Sequence, residues 1–435
     1  MFGKRNILRK ENNFFVFAKG NFILKKDMKI FLTKRKKKCI IINDIKNRNK
    51  AVKFKRFIVK AIINATIVMR DYLIPNGTIL IDGDKIAKYG KAKDIALPEN
   101  CEIIDAEHLY VGPGLIDIHT HAADNKWIFE EPKATSKHLL EHGVTGVLPA
   151  LYNNLHKEDY LKAIDDILAA KEAGDFDNFV GFYMEGPYLS PNFGCERDKN
   201  VWKDAVVREE YIDIVKRAKD SAKVWCFAPE REGIEQFVRD VKAEIPNIVF
   251  AVAHSEATPQ QVEKYIPYGL KIATHHTNAT GTIEHYSECR GVCVDEAVNY
   301  NKEIYAELIS DRMGIHVVPY MQRLVRKIKG DDRIILIADQ FVCDGPIPAG
   351  FEEATDLHFD NAGEIAGSGL TLDIACGNFM VHTGCSVVDA FRFGSYNPAR
   401  ALNLTGVGYV EEGNIANLIF VDDKFNVKKT IFKGE

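Results

Sequence analysis

Residues 114–121 of this 435-residue chain read GLIDIHTH, an apolar run that ends in two histidines. Seven further apolar runs follow it, at 143–150, 179–187, 223–230, 248–256, 270–278, 304–311 and 333–339. Stretches with Ala, Glu, Lys and Leu at helical spacing separate many of them, for example 156–173 and 231–244. Eight strands that alternate with helices predict an α/β fold of the (β/α)8 or TIM barrel type.

An open, doubly wound sheet is the alternative to the barrel. It would call for a glycine-rich phosphate loop after an early strand, and neither GxGxxG nor GxxxxGK[ST] occurs in the chain. The barrel is therefore the preferred fold.

Both ends of the chain carry β-rich runs outside the barrel. Residues 61–68 and 77–86 near the start, and 417–421 and 429–432 near the end, are rich in β-branched and aromatic residues and bounded by turn residues. We expect these runs to pair into one small antiparallel β domain. The predicted domains are then 58–112 plus 400–435 for the β domain and 113–399 for the barrel.

The first 60 residues differ in charge from the rest of the chain. They hold 20 basic and 3 acidic residues, whereas the other 375 hold 38 basic and 58 acidic ones. Basic runs are usually solvated tails, so we expect 1–57 to be a disordered or non-native extension. A nucleic-acid-binding role for this extension remains an alternative, but the acidic charge of the main domain disfavours such a role there.

Composition narrows the class of protein further. The chain is 46% hydrophobic and 27% charged, which is ordinary for a globular protein and excludes wholesale disorder. No uncharged apolar run reaches 18 residues, so no membrane-spanning helix is expected. Nine dispersed cysteines without a CxxC pair indicate reduced thiols, and we therefore expect a cytoplasmic protein.

Polar residues end five of the predicted strands. In a (β/α)8 barrel these ends form the catalytic face. The side chains able to bind a metal or move a proton there are His119, His121, Glu185, His254, His275 and Asp339.

These residue types suit a divalent metal. Residues two apart on a strand face the same side, so His119 and His121 can share an ion, whereas His276 faces away from its neighbour His275. Nitrogen and oxygen donors are the ligands of Zn²⁺, Fe²⁺, Mn²⁺ or Co²⁺. A lone buried histidine is more often structural, but the convergence of so many at one rim predicts a metal site with one or two ions.

Several motifs in order resemble one known family. They are PGLIDIHTH at 113–121, EGPYL at 185–189, AHSEA at 253–257, THHTNA at 274–279, ELISD at 307–311 and GSGLT at 367–371. Together they resemble the N-acetylglucosamine-6-phosphate deacetylases of the amidohydrolase superfamily, over about residues 60–435. The resemblance implies removal of an acetyl group from N-acetylglucosamine 6-phosphate, which yields glucosamine 6-phosphate and acetate.

The same resemblance implies the roles of the metal-site residues. Glu185, His254 and His275 would hold the catalytic metal, and zinc or iron is the preferred ion. His119 and His121 match a second metal position that some members of the family lack. Asp339 would be the general base and then the general acid.

The resemblance also implies substrate-binding residues. Asn278 and Ala279 would hold the sugar phosphate, His316 would contact the substrate, and Arg290 corresponds weakly to an arginine lent across a homodimer interface. Arg197 stands where the family has a substrate-contacting histidine, which bears on the sugar rather than on the hydrolytic chemistry.

Two other functions of the barrel stay open beside the main one. A different N-acylated amino sugar, such as N-acetylgalactosamine 6-phosphate, is the first. A catalytically silent scaffold is the second, although retention of every predicted ligand argues against it. A cyclic amidohydrolase with a carboxylated lysine is disfavoured, since strand four ends FAPE at 227–230 and offers no lysine.

Overall fold

The computed structural model describes residues 59–281 and 284–435, except the side chains of 284–286, and four short strands before residue 59. These four form two antiparallel pairs in a unit of their own, residues 1–56, and the remaining residues form the second unit. The pairs are Arg9–Lys10 with Asn13–Phe14 and Met28–Leu32 with Cys39–Asn43. Apart from these strands, the predicted disordered or non-native extension 1–57 lies outside the described residues.

Two sheets organise the second unit. Their strands are β1 Lys60–Val68, β2 Leu73–Asp82, β3 Lys85–Lys91, β4 Glu102–Asp105, β5 Tyr110–Pro113, β6 Leu115–Thr120, β7 Val144–Tyr152, β8 Phe182–Glu185, β9 Ala222–Phe227, β10 Val249–Val252, β11 Leu270–Ala273, β12 Tyr305–Ile309, β13 Ile334–Ile337, β14 Leu418–Val421 and β15 Val427–Ile431.

Helices follow or connect the strands. They are α1 Pro132–Glu141, α2 Lys157–Ala173, α3 Arg208–Ala218, α4 Ile234–Glu244, α5 Pro259–Glu263, α6 Val294–Tyr300, α7 Pro319–Lys329, α8 Leu372–Thr383, α9 Val387–Phe391 and α10 Asn397–Ala401. No helix among the described residues is long and apolar enough to cross a membrane.

Strands β6 to β13 form the predicted barrel. All eight are parallel and lie in chain order, and each overlaps one of the eight apolar runs. The first and last strands meet at their carboxyl ends, where the Asp339 N–H donates to the His119 carbonyl at 3.0 Å and the His121 N–H donates to the Gln340 carbonyl at 2.9 Å. The prediction of a (β/α)8 barrel is confirmed.

Apolar side chains pack in the interior of the barrel. Ile116 and Ile118 of β6 pack there against Leu148 and Ile337, and all are at most 1% exposed. A shift in strand register between Asp117 and Thr120 interrupts the alternation of β6. His119 consequently faces the same interior as its neighbour Ile118, in contact with the buried ring of Tyr183.

The second sheet joins both ends of the unit, as expected of a small β domain. Its strand order is β15-β14-β5-β1-β2-β3, and β4 also pairs with β1. The sheet is mixed rather than purely antiparallel, because the chain returns over β2 and β3 before β4 and β5 pair with β1 in parallel. The boundaries 58–112 plus 400–435 and 113–399 stay a prediction.

Candidate metal centre and active site

Six side chains meet at the carboxyl end of the barrel, where the sequence predicted a metal site. They are His119 and His121 at the end of β6, Glu185 at the end of β8, His254 after β10, His275 after β11 and Asp339 after β13. The last three have φ of 38°, 28° and 50°. This left-handed backbone is unfavourable for residues with a Cβ, and such strain is typical of functional sites.

Glu185 lies at the middle of the cluster, and its two oxygens face different partners. Oε1 lies 3.2 Å from His254 Nε2 and 3.1 Å from His275 Nε2. Oε2 lies 3.1 Å from His121 Nε2 and 3.6 Å from His119 Nε2. One carboxylate therefore links two groups of imidazoles, each within the reach of a single ion.

Asp339 lies on the side of Glu185 that faces His119 and His121. Its Oδ1 lies 3.4 Å from His121 Nε2 and 3.6 Å from His119 Nε2. Asp339 is nevertheless at the floor of an open cavity, so it borders both the imidazoles and the space where a substrate would lie.

Hydrogen-bond acceptors behind the rings fix the orientation of His119 and His121. His119 Nδ1 lies 3.4 Å from Glu307 Oε2, and His121 Nδ1 lies 3.1 Å from the Ala150 carbonyl. A proton on each Nδ1 leaves each Nε2 free to bind an ion, which is the usual arrangement of metal-binding histidines.

Charges in the cluster depend strongly on one another. Burial alone raises the pKa of Glu185, but the imidazoles, His119 first, hold it well below its usual value. The pKa of Asp339 is likewise lowered despite burial, chiefly by His119 and His121. Burial lowers the pKa of His119, yet Glu185 and Asp339 raise it well above the usual value. The two buried carboxylates thus favour positive charge between them, which a divalent cation supplies.

The residues present fit a divalent metal on two further grounds. Within the described part of the chain, two groups place one ligand atom from each residue within 4.8 Å of the others: His119, His121 and Glu185, and Glu185, His254 and His275. His119 Nε2 is buried and has no hydrogen-bond partner. A donor set of imidazoles and one carboxylate suits zinc, iron and similar ions.

A cavity of about 320 Å³ opens above the cluster. Four of the predicted substrate-binding residues line it, namely Asn278, Ala279, His316 and Arg197. Asn278 Nδ2 donates to the His316 carbonyl at 2.7 Å, so these two residues are fixed together. The Asn278 Oδ1 and His316 Nδ1 atoms are buried and have no hydrogen-bond partner.

The two predicted arginines differ in position. Arg197 lies at the rim of the cavity and forms an ion pair with Glu364. Arg290 lies outside the cavity lining, where its exposed guanidinium bonds to Glu296 at 2.6 Å. Arg290 therefore does not line the cavity of its own chain. His276 is also outside the cluster, since its Nε2 lies 3.3 Å from Asn299 Oδ1.

Some residues of the site were not found from the sequence. Glu307 and Tyr183 lie on β12 and β8 beneath His119 and are not exposed at all. Asp117, also fully buried, accepts the His119 N–H at 3.2 Å, and burial raises its pKa to about 7. The available signal was an acidic residue inside an otherwise apolar strand, as in YAELI at Tyr305–Ile309.

Known proteins resemble this chain in sequence. The amidohydrolase family profile matches residues 332–435. The N-acetylgalactosamine-6-phosphate deacetylase of Escherichia coli O157:H7 is 28% identical over 348 residues, which cover 76% of this chain and 88% of that protein. The N-acetylglucosamine-6-phosphate deacetylase of Haemophilus influenzae is 25% identical over 394 residues, which cover 86% and 98%.

Solved structures resemble it in fold. The crystal structure of N-acetylglucosamine-6-phosphate deacetylase from Pasteurella multocida has a TM-score of 0.73 at 25% identity and covers 87% of this chain and 99% of that one. The same enzyme from Thermotoga maritima has a TM-score of 0.72 at 25% identity, with coverages of 86% and 98%. The profile match, the relatives matched over most of their length and the common fold show that the chain resembles the N-acetylglucosamine-6-phosphate deacetylases, and they support a hydrolase that acts on amide bonds.

Proposed function

We propose that this protein removes the acetyl group from N-acetylglucosamine 6-phosphate, releasing glucosamine 6-phosphate and acetate. The names of relatives matched over most of the chain support this substrate. The observation that carries the chemistry is the position of Asp339. This carboxylate lies within 3.6 Å of His119 and His121 and also lines the open cavity.

The metal-binding roles follow from the two sides of Glu185. Glu185, His254 and His275 would hold the first ion, and His119 and His121, with Glu185 between, would hold a second. Zinc or iron is the preferred metal, with one or two ions per chain. A divalent ion held by these residues would supply Lewis-acid chemistry, polarising the acetamide carbonyl and lowering the pKa of a bound water to about 7.

Asp339 moves the proton in this scheme. Its carboxylate, kept ionised by the neighbouring imidazoles, accepts a proton from the attacking water as the water oxygen bonds to the acetyl carbon. The same proton then passes to the amide nitrogen while the carbon–nitrogen bond breaks. The products are acetate and the free amine of the sugar.

The sugar phosphate would lie at the other end of the cavity. Asn278, Ala279 and His316 would hold it, and Arg197 is the residue of the lining that can bind a phosphate bidentately. N-acetylgalactosamine 6-phosphate is the second candidate substrate, because the relative from Escherichia coli O157:H7, at 28% identity, bears that name.

A substrate panel tests the proposal. N-acetylglucosamine 6-phosphate, N-acetylgalactosamine 6-phosphate and both sugars without phosphate would be compared by release of the primary amine, with Asp339→Asn protein as the control. The proposal expects the highest kcat/KM for N-acetylglucosamine 6-phosphate. Faster release from another sugar would reassign the substrate. No release from any of them by metal-loaded protein would favour a scaffold.

We also propose a homodimer in the cytoplasm. Arg290 is exposed and outside the cavity of its own chain, which would allow it to act in the cavity of a second copy. The eight cysteines whose side chains the structure describes are all free thiols, as expected for a reducing compartment. Sedimentation of the purified protein tests the dimer, and a monomer at micromolar concentration would contradict it.

A further inference from the structure

We propose that Glu307 is a positioning residue, which fixes His119 for binding of the second ion. This inference rests on the metal centre of the proposed function and deepens it. Glu307 lies on β12 beneath the metal centre and is fully buried, so its carboxylate lies where a charge is costly unless it is bonded on all sides.

Bonds to Glu307 come from three directions. The Tyr183 hydroxyl donates to both carboxylate oxygens at 3.1 Å. The His275 N–H donates to Oε2 at 3.3 Å, and His119 Nδ1 faces the same oxygen at 3.4 Å. The carboxylate is therefore held in place independently of His119 and can act as a fixed acceptor for the imidazole.

Tyr183 restrains the same imidazole a second time. Its ring stacks on that of His119 with centroids 4.3 Å apart and an interplanar angle of 27°. Its hydroxyl also lies 2.8 Å from Thr274 Oγ1, so the tyrosine cannot turn away without losing two bonds. Stacking sets the plane of the His119 ring, and Glu307 sets its rotation within that plane.

The consequence concerns which nitrogen carries the proton. With Glu307 as acceptor, His119 would keep its proton on Nδ1 when an ion binds, so that Nε2, which faces Glu185 and Asp339, is the nitrogen that binds the ion. Glu307 makes no such contact with the imidazole of His254 or His275, since its bond to His275 involves the backbone only. Loss of the carboxylate should thus weaken the second ion more than the first.

The test measures metal binding, not turnover. Chelator-treated full-length protein would be titrated with Co²⁺ by calorimetry and visible absorption, for wild type and Glu307→Gln. The amide keeps the size of the side chain but loses its charge. Substitution of a residue that bonds to a metal-binding histidine typically lowers metal affinity about 10–100-fold. The affinity for the second ion should fall by that factor, while the affinity for the first ion changes little.

Two further variants keep the result interpretable. Tyr183→Phe removes the hydroxyl that holds Glu307 but keeps the stacked ring, and should weaken the second ion less than Glu307→Gln does. It also stands in if Glu307→Gln fails to fold. Asp240→Asn is the matched control, because Asp240 on α4 accepts the Tyr211 hydroxyl at 2.8 Å and contacts no imidazole among the described residues. This control should bind both ions as wild type does.

Three results would overturn the proposal. They are unchanged second-ion affinity in both Glu307→Gln and Tyr183→Phe, equal weakening of the two ions, and a wild-type protein that binds one ion only. Each can occur whether or not the protein deacetylates an amino sugar. The substrate panel and the metal titration therefore fail independently.

Discussion

The two halves of the metal centre hold their imidazoles by different means. His119 and His121 each have an Nδ1 atom close to an acceptor behind the ring, Glu307 and the Ala150 carbonyl. His254 and His275 have buried Nδ1 atoms without a hydrogen-bond partner. One pair of imidazoles therefore has an acceptor behind each ring, and the other pair does not.

The half with His254 and His275 is oriented through its backbone. His254 and His275 have positive φ, and the loops that follow them bond to each other. The Ser255 N–H donates to the Ala279 carbonyl at 3.0 Å, and the Gly281 N–H donates to the Ser255 carbonyl at 3.2 Å. We therefore expect the half with His119 and His121 to respond to side-chain changes beneath it. The half with His254 and His275 depends on the loops that also carry Asn278 and Ala279.

Glu185→Ala is expected to have the largest effect, because it removes the carboxylate that both halves share. Both ions should be lost, and turnover should fall by at least about 10⁴-fold as the metal and the activated water go together. Elemental analysis and amine release check this. Retention of one ion would show that one half binds metal without the bridge.

Asp339→Asn should lower turnover by about 10²–10⁴-fold with near-normal metal content, because asparagine cannot accept the proton. Amine release and elemental analysis are measured on the same sample. Normal turnover would exclude Asp339 as the base. Loss of metal would instead make Asp339 a metal ligand, together with His119 and His121.

Paired substitutions separate the halves directly. His119→Ala/His121→Ala and His254→Ala/His275→Ala should each lower the metal content from two ions to one and lower turnover at least about tenfold, since changes beside a metal ligand already cost that much. Each double variant is the control for the other. A wild-type content of one ion or fewer, unchanged in the His119→Ala/His121→Ala protein, would contradict the two-ion arrangement.

Arg197→Ala should leave both halves intact. A charged hydrogen bond contributes about 1.5–3 kcal/mol, so KM for a phosphorylated substrate should rise at least about tenfold while metal content and kcat change little. The unphosphorylated sugar is the control, and its KM should stay constant. Equal changes for both sugars would mean that Arg197 acts through its ion pair with Glu364 rather than on the phosphate.

Deletion of residues 1–52 is expected to have the smallest effect, with no change in metal binding by either half of the metal centre. The β-rich runs and the barrel begin after this segment, and residues 57–435 form a separate unit. Thermal unfolding, metal content and amine release of the shortened protein check this. Loss of expression in folded form would show that the first residues support the rest.

Much of the site could be predicted because its residues end strands. A parallel barrel brings the carboxyl ends of its strands to one rim whatever the loops do, so the positions of His119, Glu185 and Asp339 in the sequence were sufficient to group them. The partners of Glu307 and Arg197 could not be predicted in this way. Tyr183 and Glu364 lie 124 and 167 positions away from them, and no local periodicity links such pairs.

The sequence by itself determined the barrel, its order of strands and the convergence of imidazoles and carboxylates, since apolar periodicity and strand ends are local properties. Tertiary structure alone decided how these groups are divided. Which Glu185 oxygen faces which imidazoles, and that Asp339 belongs to the side of His119, depend on distances across the barrel. Those distances are set by the closure of β6 against β13, which packing fixes and sequence spacing does not record.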